Sequence, residues 1–399
     1  MACMNDANTR AIARIGSVRP QWVAVRNARE ALGLDGRVLL HAGPKHLDAA
    51  RLPPPMRNAA VLSCLHEKWA ADEREAERLL ASGAVKLEPS FSRDVATPLV
   101  AMVSPATTLA EIADGKQRYY AFLGTGGGPQ QRFGSRDPAI LEKLKFRESV
   151  LAKGFAELLD GAPVDLLAIA RAAIREGDDL HNRLSSATTI LQSVFSTRKV
   201  ESEHGRAAMQ TIAEAPLYFL NLWMPACQLM LLAAEGTMGS SVVTRLCANG
   251  EHLGIQVAGL PGEWFTAPAT PVQGPFMKGA PDNPQHPPAT GDSGVIDAFG
   301  LGGQGLRHAP SLLAAFQPWL SADDDVRARS MLAGTHPILD TPIGLDAAAV
   351  AGSGRSPLLS TGMVSADGRG LLGRGICAVP VEPFAAAAAR LAQHVQHTH

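Results

Sequence analysis

Pro216-Leu217-Tyr218-Phe219-Leu220-Asn221-Leu222-Trp223-Met224-Pro225-Ala226-Cys227-Gln228-Leu229-Met230-Leu231-Leu232-Ala233-Ala234 carries no charge along its whole length. A helix needs ~20 apolar residues to cross a bilayer, so the run comes close to a span. It holds Asn221, Gln228 and an internal Pro225, however, and no comparable run pairs with it. A proline inside a helix removes a backbone hydrogen bond and bends the axis. The run therefore reads as a buried core helix kinked near Pro225. From Met1 to Trp22 charged and small residues alternate without the apolar centre of a signal peptide. With neither export signal nor span, the expected location is cytoplasmic.

The 399 residues are 46% hydrophobic and 19% charged, ample for a large core and more naturally for more than one domain. A net charge of -1 and 5% aromatic content exclude the basic, base-stacking surface of a nucleic-acid binder. The five cysteines are scattered, with no Cys-x-x-Cys pair, so neither a disulfide framework nor a zinc ribbon is expected. Cys377 reads as inert core.

Outward from the apolar run, three textures follow one another. Residues 1–136 look like an N-terminal α/β domain, with an apolar strand Arg37-Val38-Leu39-Leu40 running into a turn, an amphipathic helix over 70–81, and extended chain over 95–103. Residues 137–235 look helical. There Leu166, Ile169, Ala170, Ala173 and Ile174 mark one buried face, Gly177 ends that helix, and a further helix is expected near Glu203 to Ala213. Residues 236–399 read as a glycine-rich C-terminal α/β domain, with a proline-rich loop from Pro268 to Pro288. His394, His397 and His399 read as a frayed tail. The fold class expected is α+β, a multi-part α–β arrangement with a helical middle segment.

The densest chemistry lies in Gly177-Asp178-Asp179-Leu180-His181-Asn182-Arg183. Placed on a helix over 178–195, Asp178, His181, Asn182, Ser185, Ser186 and Thr189 fall within roughly 140° of arc. That face offers an acid, an acid/base candidate, an amide and hydroxyls. The structural alternative is an N-cap at Asp178 and an i, i+4 pair of Asp179 with Arg183. Two carboxylates would repel a phosphate, so the segment suits an amide, an amine or a partner's basic group, or uses its acids to fix His181 and Arg183, and no third metal ligand can be named. Gly300-Leu301-Gly302-Gly303-Gln304-Gly305 matches the dinucleotide fingerprint in letters, but neither a preceding strand nor a following helix is legible, and a Rossmann fold is not expected. A turn making close backbone approaches fits better. Asp292-Ser293 is either a ligand contact or a helix cap.

Taken together, Gly259-Leu260-Pro261-Gly262-Glu263-Trp264-Phe265-Thr266-Ala267-Pro268, Gln273-Gly274, Gly291-Asp292-Ser293 and Phe299-Gly300-Leu301-Gly302-Gly303 resemble the YlbE-type (AllG) family. Further matches are Leu40-His41-Ala42-Gly43-Pro44, Cys64 with Glu67 and Trp69-Ala70, Arg132-Phe133-Gly134, Phe219-Leu220-Asn221 and Thr361-Gly362. The resemblance implies an α–β fold with a helical insert. It also implies a subunit of the oxamate carbamoyltransferase of allantoin catabolism, which interconverts oxamate plus carbamoyl phosphate with oxalurate plus phosphate. No cofactor or metal is implied. The implied partners are a small amide or carbamoyl substrate and an FdrA-type subunit in a hetero-oligomer, a homo-oligomer being the alternative. Where the family carries histidines, this chain has Phe91, Ser92 and Ser365. In the enzyme reading His181 is acid/base, Asp178 orients it, and Asn182, Asn221 and Thr266 bind the amide. Arg183 and the Gly302 and Gly303 amides hold the anionic end, with Asp292, Thr361 and Glu67 as further substrate contacts. The competing readings are a non-catalytic assembly or regulatory subunit, or a repurposed paralogue that hydrolyses another small amide.

Overall fold

The computed structural model describes residues 2–45, 47–115 and 117–397. The apolar run forms the helix Leu220–Leu232, in which every side chain from Asn221 to Leu231 is buried. Pro225 lies one turn in and deprives the Asn221 carbonyl of its helical partner. This central helix packs on the strands Thr108–Asp114 and Gln117–Phe122 on one side, and on Val243–Asn249 and the short helix Gly294–Phe299 on the other. Among the described residues no helix is long and apolar enough to cross a membrane.

The architecture is α+β, built on several small sheets. One sheet has the order Val95–Ala96, Gln117–Phe122, Thr108–Asp114, Gln21–Asn27, Val164–Asp165; a second has the order Phe265–Pro268, His252–Val257, Val243–Asn249, Thr290–Gly291. Thr108–Asp114 is buried on both faces, because Ala110 and Ile112 pack into the main apolar cluster and Leu109 into a smaller one on the other face. Two-stranded sheets pair Val38–His41 with Lys86–Pro89, Leu332–Thr335 with Pro342–Leu345, and Leu358–Val364 with Leu371–Ala378. The largest apolar cluster draws residues from Ala11 to Leu391.

Several sequence expectations reappear closely. The helix Glu203–Ala213 is capped by Ser202, whose hydroxyl accepts from Gly205 N at 2.9 Å. Leu166–Arg175 buries Ile169, Ala170 and Ala173. Three expectations need correction. The chain over 95–103 is a strand only at Val95–Ala96, because it then turns through Leu99 at φ +50°. The helix expected over 178–195 begins only at Ser185, for a reason given below. The C-terminal helix Glu382–His397 takes in His394 and His397; His399 lies outside the described residues. The glycine-rich 300–305 segment follows the helix Gly294–Phe299 rather than a strand and enters a 3-10 turn at Gly302–Gln304, so the Rossmann arrangement is absent.

A π-helical turn, Arg147–Leu151, joins the helices Ala139–Phe146 and Ala152–Leu159. It places Arg147 over the Phe122 ring, 4.7 Å from its centre, and turns Glu148 inward. Glu148 takes Arg147 Nη2 at 2.6 Å and Thr108 N at 2.7 Å. Burial pushes its pKa up, but Arg147, His66 and Thr108 outweigh burial and hold it below the usual value. A carboxylate with a depressed folded pKa stabilises fully above its unfolded value of about 4.3, and that contribution is lost as pH falls through the folded value. The wild-type advantage in urea midpoint over Glu148→Gln should therefore shrink between about pH 6 and about pH 3; a constant gap would count against this account.

Candidate active site

The Gly177–Arg183 segment folds as a tight irregular turn because its acids accept backbone hydrogen bonds from the residues that follow. Asp179 Oδ1 accepts from His181 N at 3.2 Å, Asn182 N at 3.0 Å and Arg183 N at 2.7 Å. An Asp side chain that takes these donors competes directly with the helical carbonyls, and Leu180 is held at φ +61° with its side chain buried. Asp178 caps the helix Ser185–Ser196 from outside it. Its carboxylate accepts from Ala187 N at 2.8 Å and pairs with Arg183 Nη1 at 2.9 Å. Burial raises the pKa of both acids, against these donors. Two rigid carboxylates thus aim His181 and Asn182 inward, where they are 4% and 3% exposed.

The group facing His181 is Asp297, on the buried helix Gly294–Phe299. Asp297 Oδ2 lies 2.9 Å from His181 Nδ1, at an angle poor for a hydrogen bond. Asp297 Oδ1 is fixed by Gly303 N at 2.7 Å and Ser360 N at 3.0 Å. Gly302 lies beneath the pair at φ +55°. A Cβ there would come within 2.6 Å of Asp297 Oδ1 and 2.9 Å of His181 Nδ1. Gly302→Ala should therefore push the imidazole off Asp297 and cost about 1–2 kcal/mol in backbone strain alone; a variant with unchanged melting temperature and activity would refute that placement.

His181 and Asn182 line a small recess together with Leu99, Phe133, Leu220, Ser293 and Thr361. Its volume is about 50 Å³, room for a few heavy atoms, since one water needs roughly 10–15 Å³. The recess adjoins an open cleft of about 540 Å³ walled by the Gly126-Gly127-Gly128 loop, Glu214, Leu217 and Met277. Arg132, Phe133, Leu217, Leu371 and Arg374 line both. Arg132 is 6% exposed, its guanidinium 4.9 Å from the Phe133 ring centre and its Nε without a partner. Burial, and secondarily the Arg374 charge, pull its pKa down to about 10. Arg374 reaches into the cleft and donates to the Asn182 carbonyl at 2.6 Å. Among the described residues no three His, Cys, Asp or Glu side chains gather as a metal-binding set.

The family model for oxamate carbamoyltransferase subunit AllG matches residues 85–293. The chain belongs to the AllG family. It is 29% identical over 415 residues to oxamate carbamoyltransferase subunit AllG of Escherichia coli (strain K12), covering 97% of each chain. It is also 26% identical over 401 residues to the uncharacterized protein YahG of the same organism, covering 95% of this chain and 84% of YahG. In fold it superposes on the crystal structure of a conserved protein of unknown function from Enterococcus faecalis V583, with a TM-score of 0.89, 24% identity and 98% coverage of both chains.

In this AllG-family chain the site residues expected from sequence divide into two groups. His181, Asn182 and Thr361 meet at the recess. Most of the others, and Thr361 itself through its hydroxyl donating to Thr290 O, are engaged within the protein. Asp178 binds Arg183 and the helix start rather than His181, and Arg183 Nη1 also donates to Glu176 O at 3.1 Å. The Gly302 and Gly303 amides donate to Asp179 O and Asp297 Oδ1. Asp292 Oδ1 accepts from Gly43 N at 2.9 Å, and Glu67 Oε1 accepts from Ala106 N at 2.5 Å. Thr266 sits on the edge strand Phe265–Pro268 and Asn221 inside the central helix; neither lines the recess. Of the positions that lack family histidines, Phe91 packs at a tilt against Trp264 with ring centres 4.7 Å apart, Ser92 donates to Pro89 O and Ser365 donates to Asp367. None of these lines the recess or the cleft. Burial pushes the Cys377 thiol up to about 12, which leaves it a poor nucleophile. Sequence reasoning missed Asp297, Arg132 and Arg374 as site residues. Arg132 was legible only as part of a shared Arg-Phe-Gly triplet.

Proposed function

We propose that this chain is the subunit of a carbamoyltransferase-type enzyme that carries the proton acceptor for transfer to a small amide such as oxamate. The observation that carries the reading is the contact of His181 Nδ1 with Asp297, which leaves Nε2 for the recess. With its Nδ1 proton toward a carboxylate, an imidazole presents a lone pair at Nε2. In the forward step the amide nitrogen of oxamate attacks the carbamoyl carbon of carbamoyl phosphate. The new C–N bond forms as the C–O bond to phosphate breaks; phosphate leaves with that electron pair, and His181 takes the N–H proton. Asn182 and Thr361 orient the planar amide, and Asp297 supports the imidazolium. The products are oxalurate and phosphate.

Membership of the AllG family supports a subunit role, and an FdrA-type chain is the proposed partner. The test is phosphate release from carbamoyl phosphate with oxamate, using this chain alone and with its partner subunits. Release that requires oxamate and this chain is the expected result; a partner complex equally active without this chain would sink the reading.

A further inference from the structure

Arg132 is a buried guanidinium for which burial is compensated by no carboxylate. Its pKa is shifted by burial and by the like charge of Arg374 alone, its Nε lacks a partner, and its side chain lines both the recess and the cleft. Arg374, the second cation at that boundary, is anchored through Nη1 on the Asn182 carbonyl. The acid that draws on Arg374, Asp179, has its oxygens occupied by three backbone N–H groups. Two positive groups this close repel each other, and such a pair persists at a cost that an anion between them would remove. Asp137 and Glu214 also border the cleft but make no ion pair with either arginine among the described residues.

We infer that Arg132 and Arg374 form an oxyanion subsite at the step between recess and cleft. It takes the carboxylate or phosphate of the ligand whose amide or carbamoyl end enters the recess beside His181. The inference rests on the carbamoyl-transfer reading for what enters the recess, but the subsite itself does not require catalysis. It makes negative charge on the ligand a condition of binding, since guanidinium forks bind carboxylate and phosphate in paired hydrogen bonds.

The test is calorimetric titration and thermal melting of the full-length chain with inorganic phosphate, oxamate and neutral oxamide. Wild type should bind phosphate or oxamate and reject oxamide; binding by phosphate assigns the subsite to the phosphate, and by oxamate alone to the carboxylate. Arg132→Met and Arg374→Met should each weaken anion binding about 10- to 100-fold. Arg132→Met should also melt no lower than wild type without ligand, because it removes an uncompensated buried charge, whereas a structural arginine would lower it. The exposed Arg374→Met provides a second variant if Arg132→Met fails to fold. Equal binding of oxamide, anion binding unchanged in both variants, or no anion binding by wild type would overturn the subsite. His181→Ala should keep anion binding, so if that variant also keeps turnover the catalytic reading fails while the subsite stands.

Discussion

Replacing His181 with alanine should lower carbamoyl transfer about 100- to 10,000-fold, the range over which a positioned general base contributes. The imidazole is nearly buried, touches Asp297 through Nδ1 and borders the recess through the rest of its ring. Alanine also removes the imidazole that lies against the buried Asp297 Oδ2, so a fall in activity needs a control for folding. His181→Asn is that control. Its amide can still donate toward Asp297 but has no basic lone pair, so activity should fall as far while the melting temperature recovers. Asp297→Asn approaches the same pair from the other side. One amide oxygen can still accept from Gly303 N and Ser360 N, but an NH2 facing Nδ1 favours the tautomer with its proton on Nε2. The rate should fall and its pH dependence should shift. Activity in His181→Asn within a few-fold of wild type would refute the assignment.

The largest expected effect on stability belongs to Asp292→Ala. One carboxylate there accepts from Gly43 N at 2.9 Å, Ser90 Oγ at 2.5 Å, Thr97 N at 2.9 Å and Thr97 Oγ1 at 2.9 Å. These donors come from three separate points of the chain, and burial of the acid itself raises its pKa against their pull. Alanine strands all four donors in the interior, and at about 1–3 kcal/mol for each orphaned group, less whatever relaxation recovers, a loss of about 3–5 kcal/mol is expected. Urea midpoints measure it. Asp292→Asn should not rescue fully, because its NH2 would face some of these donors. A loss below about 1 kcal/mol would mean that the loops find other acceptors. Asp292 is therefore placed as the tie that holds Thr97, and with it the Leu99 turn, against the recess.

Some of this molecule was legible residue by residue. Local elements whose stabilising contacts are short in sequence came through: the helix near Glu203 to Ala213, the buried face from Leu166 to Ala173, and the turn after Leu39-Leu40. The apolar run at 216–234 also came through, because Asn221, Gln228 and Pro225 within it already argued for a protein core rather than a bilayer. The Gly177–Arg183 segment was singled out for its chemistry, yet its conformation was misread. Helical periodicity assigns Asp178 and His181 to one face, but it cannot foresee that Asp179 will take the backbone donors that a helix would need.

The composition and order of residues determined on their own that this chain is α+β and that its uncharged run is core, and they singled out His181 and Asn182 as site candidates. Only the tertiary structure decided what surrounds them. Gly43 and Asp292 meet across 249 residues and Arg374 reaches the Asn182 carbonyl across 192; Asp297 and Arg132 arrive at the same recess on other elements. Such contacts leave no periodic trace, because each residue is placed by the packing of its own element against the core. An aspartate that orients a histidine therefore reads, in sequence, like an aspartate that caps a helix.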